Sequence, residues 1–405
     1  MMKKSLVSIM TFVIIAGSGD AQAGNQGFIY GQVLTREGNT YTGTMRWGKQ
    51  EYFWDDIFNA TKDDNPWRKY ASKKGRDDSK SSKKFVIFGM PIVETSFGGS
   101  DHLFITKFGE IESIKVRRSS RQTIYMKNGS EYDVAGGGDV DVTVKMWDEN
   151  LGKINLKWKD IKTIKFLPTP KTAKAGGYRL HGKLKTYEMD FEGYIMWDAE
   201  ESISTDILDG DTDEGDMEIE FGNIRKIKRI NSRSCEVTLK DGREFDLRGT
   251  NDVNSGNRGI YIEDPRYGKI EVQWDEFREI TYDDSEDSGK PYKSYDSGKE
   301  LKGTVFTDDG DEYTGKIVYD LDESEGFEIL NGDLDEMEFY IPFANIVSIT
   351  PKGRHSSIVK LKNGEELRLE DAQDVSKKND GILVFEKGED VEYISWEEIE
   401  KIKFK

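Results

Sequence analysis

The chain has 405 residues, 35% of them hydrophobic and 34% charged, with a formal net charge of −18 at pH 7. That apolar share falls below the roughly 45–50% usual for globular chains, which argues against one large core and for several small ones. Aromatic residues at 11% argue against disorder, and the acidic balance argues against nucleic acid as a partner.

The first predicted element is a signal peptide over residues 1–23. Met1 to Lys4 give a short basic start, Leu6 to Ala16 form an apolar run too short to span a bilayer, and Ala21-Gln22-Ala23 fits a cleavage site. The expected destination is periplasmic or secreted, with no transmembrane segment after signal removal. The single cysteine, Cys235, can form no internal disulfide; alternation with Val237 and Leu239 turns it inward, as a core residue.

After Gly24 the chain repeats itself. A phrase of an aromatic, two small or polar residues, an apolar residue, two further residues and Ile begins at Phe108, Trp158, Phe221, Trp274, Phe343 and Trp396. Its spacing suits a 3₁₀ turn that tucks one apolar side chain inward before a strand. The second, fourth and sixth copies follow hairpins headed by Lys127-Asn128-Gly129, Lys240-Asp241-Gly242 and Lys362-Asn363-Gly364, read as type I′ turns. The first, third and fifth follow a different opening, seen at Gly31–Trp47, Gly182–Asp198 and Gly303–Asp320. Three modules result, at 24–170, 178–284 and 301–405, joined by short polar linkers. The first carries an insertion at about 59–100 that its siblings lack, the place to look for something specific to this protein.

Each half-module reads strand, turn, strand, strand, turn, strand, 3₁₀ turn, strand. This order resembles the SH3-like small β-barrel and, in its turn-linked strands, the Sm-like variant. The resemblance covers most of the chain after residue 23. It implies an all-β fold of three tandem modules, each a pair of small five-stranded barrels, six half-units in all. A single open sandwich per module is the alternative. Closure would hide the edges of such short sheets.

Chemistry is sparsely signalled. His102, His181 and His355 fall at unmatched places in the repeat and lack metal spacing, so no catalytic site is expected, and no cofactor. Were the protein an enzyme, its site would lie near the insertion, around Asp101 and His102. Asp209, Asp211 and Asp213 alternate, and Glu220 stands at the twelfth place, echoing a calcium loop, although the glycine comes one position late. A solvated acidic turn is the plainer reading. Trp67, Arg68, Lys69 and Tyr70 are candidates to contact a glycan or an anionic partner, or to anchor a loop. Aromatics held in register across the halves read as core fillers. The first module is net basic and the other two net acidic, which predicts salt-sensitive head-to-tail self-association, with solubility alone as the bland alternative. The reading is thus a non-catalytic extracytoplasmic binding or scaffold protein for a protein, glycan or envelope component. The alternatives are a calcium-dependent surface protein and an enzyme.

Overall fold

The computed structural model describes residues 24–70, 84–87, 90–93, 103–118, 121–285, 287–296, 298–386 and 391–405. Residues 1–23, expected to be a signal peptide, much of the insertion, and Asp101 and His102 lie outside the described residues. The chain is all-β, with its strands gathered into two large antiparallel sheets and one short hairpin at Lys84–Ile87 and Met90–Val93. No helix among the described residues is long and apolar enough to cross a membrane.

The strands of residues 181–282 show the plan. In chain order they are His181–Thr186, Asp190–Met196, Ile207–Thr212, Gly215–Glu220, Ile224–Asn231, Ser234–Leu239, Glu244–Arg248, Ile260–Asp264, Gly268–Val272 and Phe277–Tyr282. Across the sheet they run ninth, eighth, second, first, tenth, fifth, sixth, seventh, third, fourth. The same order recurs in residues 30–166 and 302–404. Strands one to five and six to ten are the two halves, and exchanging them turns the order into its own reverse. Each module therefore has an internal two-fold relation.

That order corrects the expectation of paired five-stranded barrels. The tenth strand lies between the first and the fifth, and the third–fourth hairpin of one half lies beyond the seventh strand of the other. The halves have traded hairpins, and no closed barrel forms. Alternation fixes which face of a strand is buried, but it does not choose the neighbouring strand.

Five of the six phrases form 3₁₀ turns, and Trp274–Glu276 forms an ordinary turn. Their aromatics meet a third ring from the end of the second strand. Trp47 lies 5.2 Å from Phe108 and 5.3 Å from Trp158, and Tyr319 lies 5.1 Å from Phe343 and 6.1 Å from Trp396. Cys235 is fully buried, as its alternation implied, and burial pushes its thiol up to about 12. The hairpin turns differ from the expected type I′. Only the glycine has positive φ, at 89° in Gly129, 92° in Gly242 and 94° in Gly364. A type I turn followed by a left-handed glycine therefore closes each hairpin, as in a bulged three-residue loop. Asn128, Asp241 and Asn363 accept the backbone N–H two residues on, at 2.9, 3.0 and 3.1 Å.

A strand pairing and a docked segment help to join the modules. Gly268–Val272 of the second pairs antiparallel with Met337–Pro342 of the third, setting Lys269 opposite Tyr340 and Glu271 opposite Glu338. Burial and the Glu338 charge push the Glu271 carboxyl up to about 7. Glu271→Gln is expected to raise stability at pH 8 by about 1–3 kcal/mol and to leave it nearly unchanged at pH 5, read by thermal unfolding. Equal effects at both pH values would show that the carboxylate pair carries no strain. The second feature is the segment before the third module, predicted as a linker, which folds back on the first. Tyr292 donates to the Ile111 carbonyl at 2.7 Å, Lys127 Nζ lies 3.4 Å from the Tyr292 ring centre, and the Tyr295 ring covers Gly109 so closely that a Cβ there would meet it at 2.3 Å.

Candidate functional site at the module junctions

The loop after the second strand is built alike in all three modules. The backbone N–H of Trp47, Trp197 or Tyr319 donates to the carbonyl of the Glu four residues on, at 2.7 Å in each case. Nine residues after the aromatic stands a carboxylate that caps the loop. Asp56 accepts the N–H groups of Tyr52 and Phe53 at 2.8 Å each, and Asp206 those of Ser202 and Ile203 at 2.8 and 3.1 Å. Glu328 accepts those of Ser324 and Glu325 at 2.6 and 3.0 Å.

Each capping carboxylate also receives a cation from a different module. Asp56 binds Lys269 of the second module at 3.1 Å, Asp206 binds Arg46 of the first at 2.7 Å, and Glu328 binds Lys62 of the first at 2.7 Å. Lys62 also reaches Asp322 at 2.9 Å. Arg179 grips Asp55 in bidentate fashion at 2.7 and 3.0 Å, its guanidinium 4.0 Å from the Phe53 ring centre and 3.9 Å from that of Tyr194. Lys107 pairs with Glu263. Burial works against charge at Asp55, but the Arg179 charge outweighs it and holds the carboxyl below its usual range. Burial likewise opposes charge at Lys62, and Asp322 and Glu328 reverse that, lifting its pKa well above normal. The junction of the first two modules encloses a cleft whose space for a water centre is about 10 Å³, lined by Asp56, Arg179, Tyr194, Tyr261, Glu263 and Lys269. That is room for about one water molecule, and Glu263 Oε2 has no hydrogen-bond partner within the protein.

Behind each loop lies a second, drier carboxylate group. Asp139, Asp252 and Asp374 accept the third-strand N–H groups of Asn59, Asp209 and Asn331 at 2.8, 2.9 and 2.8 Å. They sit close enough to Glu51, Glu201 and Glu323 for the charges to interact. Burial first, then the neighbouring carboxylates, pushes Glu201 up to about 9 and lifts Glu51 and Glu323 well above normal. Burial raises Asp139 and Asp374 to about 7 and Asp252 to about 6. Burial and like charge thus act together to favour the protonated carboxyl in each group.

The modules differ in what stands at the mouth of this group. The first has Gly48, and the second has Asp198 held by Arg258 at 2.5 Å. The third has Asp320, and Asp380 replaces the arginine. Asp320, Glu323 and Asp374 each bring a carboxylate oxygen within 4.8 Å of the others, and Glu323 Oε2 is enclosed without a hydrogen-bond partner.

The residues picked from sequence lie elsewhere. Asp209 and Asp211 sit on one face of the strand Ile207–Thr212, and Asp213 is in the following turn beside Arg248 at 2.5 Å. Glu220 is opposite Ile207, at the far end of that hairpin. Spacing by two puts carboxylates around a cation in a calcium loop but in line along a strand, so these four are not brought together. Trp67 packs on the third module, 5.7 Å from the Phe385 ring centre with Lys316 at 5.4 Å, while Asn65 donates to the Leu321 carbonyl at 2.9 Å. Tyr70 reaches the same phenylalanine at 5.4 Å. The loop-anchor reading fits both aromatics. Lys69 is exposed over Tyr70, and the side chain of Arg68 lies outside the described residues. His181 and His355 each face one carboxylate, Asp283 at 2.7 Å and Asp371 at 3.9 Å. Sequence reasoning missed the junction, although aromatic, Glu at four and acid at nine is a readable signal once the modules are aligned. Comparison with family models, curated proteins and solved structures returns no match for the chain.

Proposed function

We propose that this chain is a non-catalytic scaffold working outside the cytoplasm, in the periplasm or beyond it, that holds three β modules in a fixed mutual arrangement for a protein, glycan or envelope partner. One observation carries the reading: Arg46, Lys62, Lys107, Arg179 and Lys269 each bind a carboxylate of another module. A catalytic group must be free to change its partner or its protonation during a reaction. These cations are committed to joining modules. Arg46, Lys62 and Lys107 carry the basic first module's charge to acidic neighbours, while Arg179 and Lys269 of the second module bind the first module's Asp55 and Asp56. Within this reading each module is two SH3-like units that have traded hairpins, supported by the symmetric strand order. Tagged full chain and a variant with 71–102 replaced by a short Gly-Ser link are the test, in pull-downs from envelope fractions. A partner kept by the full chain and lost by the variant is the expected result. Equal recovery would remove the insertion as a contact, and no partner in either would overturn the binding role.

A second reading, a calcium-dependent structural protein, is favoured by one observation in the third module, where Asp380 replaces the arginine and Glu323 Oε2 lacks a partner. The donor set is all carboxylate, which suits a hard cation. Thermal unfolding with added calcium would then rise in the wild type and not in Asp320→Asn. No rise at millimolar calcium removes the idea.

A further inference from the structure

Among the described residues four strands end the large sheets with a partner on one side only, and two of them carry exposed side chains of opposite charge. Gly152–Lys157, the ninth strand of the first module, pairs only with Thr143–Asp148 among the described residues. Its exposed side chains are Lys153, Asn155 and Lys157. Gly215–Glu220, the fourth strand of the second module, pairs only with Ile207–Thr212 among the described residues. Its exposed outer-face side chains are Asp216, Glu218 and Glu220. Each strand turns an apolar row the other way, Ile154 and Leu156 in one and Met217 and Ile219 in the other.

The chain itself shows how such edges join, because the ninth strand of the second module already pairs with the fourth strand of the third. Gly152 and Gly268 both close the turn after an Asp, and Glu220 and Pro342 both precede a Phe phrase, so the register transfers directly. Lys269 opposite Tyr340 becomes Lys153 opposite Glu218, and Ile270 opposite Phe339 becomes Ile154 opposite Met217. An opposite-charge pair and an apolar pair then face each other across the new seam. Charge of one sign along each edge repels a like edge and admits only the other.

We propose that the ninth strand of the first module and the fourth strand of the second are complementary docking edges that join copies of this chain into open rows. The two edges belong to different surfaces of one molecule, so the contact is heterologous and leaves a free edge at each end. The proposal deepens the scaffold reading by naming a second copy as a partner.

Sedimentation from about 5 to about 200 µM protein at about 0.15 M salt tests it, a salt level at which the long-range repulsion between acidic molecules is screened beyond roughly 8 Å while contacts remain. The wild type is expected to gain mass with concentration. Lys153→Glu and Glu218→Lys are each expected to stay monomeric, while their equimolar mixture and the double variant regain assembly. Both side chains are exposed, so unchanged circular dichroism and melting serve as the folding control. If a reversal costs folding, Lys153→Gln and Glu218→Gln read the same loss of mass. A monomeric wild type, or single variants that assemble like it, overturns the proposal, and the scaffold reading then still stands or falls on its pull-down.

Discussion

The thermal midpoint is expected to fall as pH rises from 5.5 to 8.5, opposite to what a set of salt-bridged carboxylates alone would give. The groups responsible are Glu51 with Asp139, Glu201 with Asp252, and Glu323 with Asp320 and Asp374, all raised chiefly by burial. A carboxyl raised in the folded state keeps its proton where the unfolded chain has lost it. The folded state then binds more protons between about pH 4.5 and the raised values, and stability declines with pH across that window. With Asp252 at about 6, Asp139 and Asp374 at about 7 and Glu201 at about 9, the decline falls between pH 5 and 9. One pKa unit corresponds to about 1.4 kcal/mol, and members of a pair share one proton, so a net loss of a few kcal/mol is the proper scale. For a chain of this size that lowers the midpoint by roughly 5 °C or more. Groups with depressed values, such as Asp55 and Glu200, act only in more acidic solution and leave this window alone. Glu201→Gln combined with Glu323→Gln should flatten the profile. A midpoint that stays level or climbs from pH 5.5 to 8.5 would refute the buried-pair account.

Removing Lys62 is the substitution expected to cost most. Its side chain is 6% exposed, and Asp322 and Glu328 beside it are 5% and 4% exposed. Lys62→Met takes the shared cation from two enclosed carboxylates, and losing one partner of a buried pair costs about 3–5 kcal/mol. Adding Asp322→Asn removes one stranded charge and should recover part of that loss, whereas two independent defects would simply add. The contrast is Lys183, whose pair with Glu192 spans 3.5 Å with both side chains more than half exposed. Lys183→Met should change stability by less than about 1 kcal/mol. Urea unfolding and limited proteolysis compare the three, and equal midpoints for Lys62→Met and Lys183→Met would deny the junction its role.

Much of this architecture was written in local pattern. The phrase from Phe108 to Trp396 recurs because each copy supplies one ring to a three-ring plug, and a packing demand that repeats leaves a sequence that repeats. The glycines at 129, 242 and 364 marked hairpins because only glycine takes the left-handed place there, although the turn type needed the φ of the residue before. Strand exchange between halves was not legible. The alternation of Ile207–Thr212 says which residues point inward, and nothing in it distinguishes the second strand of its own half from the seventh of the other. The charge asymmetry was legible as well, but complementary charges fit equally between copies and within one chain. What the sequence did not show is that Asp56, Asp206 and Glu328 each face a cation of another module. The alternating carboxylates of 209–213 misled for the reason that makes strands useful: a period of two runs along one face.

The traded hairpins also govern the order in which this protein can be made. As the second module leaves the ribosome, Ile207–Thr212 emerges long before Glu244–Arg248, the strand it needs on one side. Phe277–Tyr282, which separates the first strand from the fifth, is the last of its module to appear. No half can be finished and set aside while the next is synthesised, so each module waits, incomplete and with open edges, for its final strand. For the extracytoplasmic role proposed above that delay would have a use, because a segment that cannot close early is a segment that stays threadable.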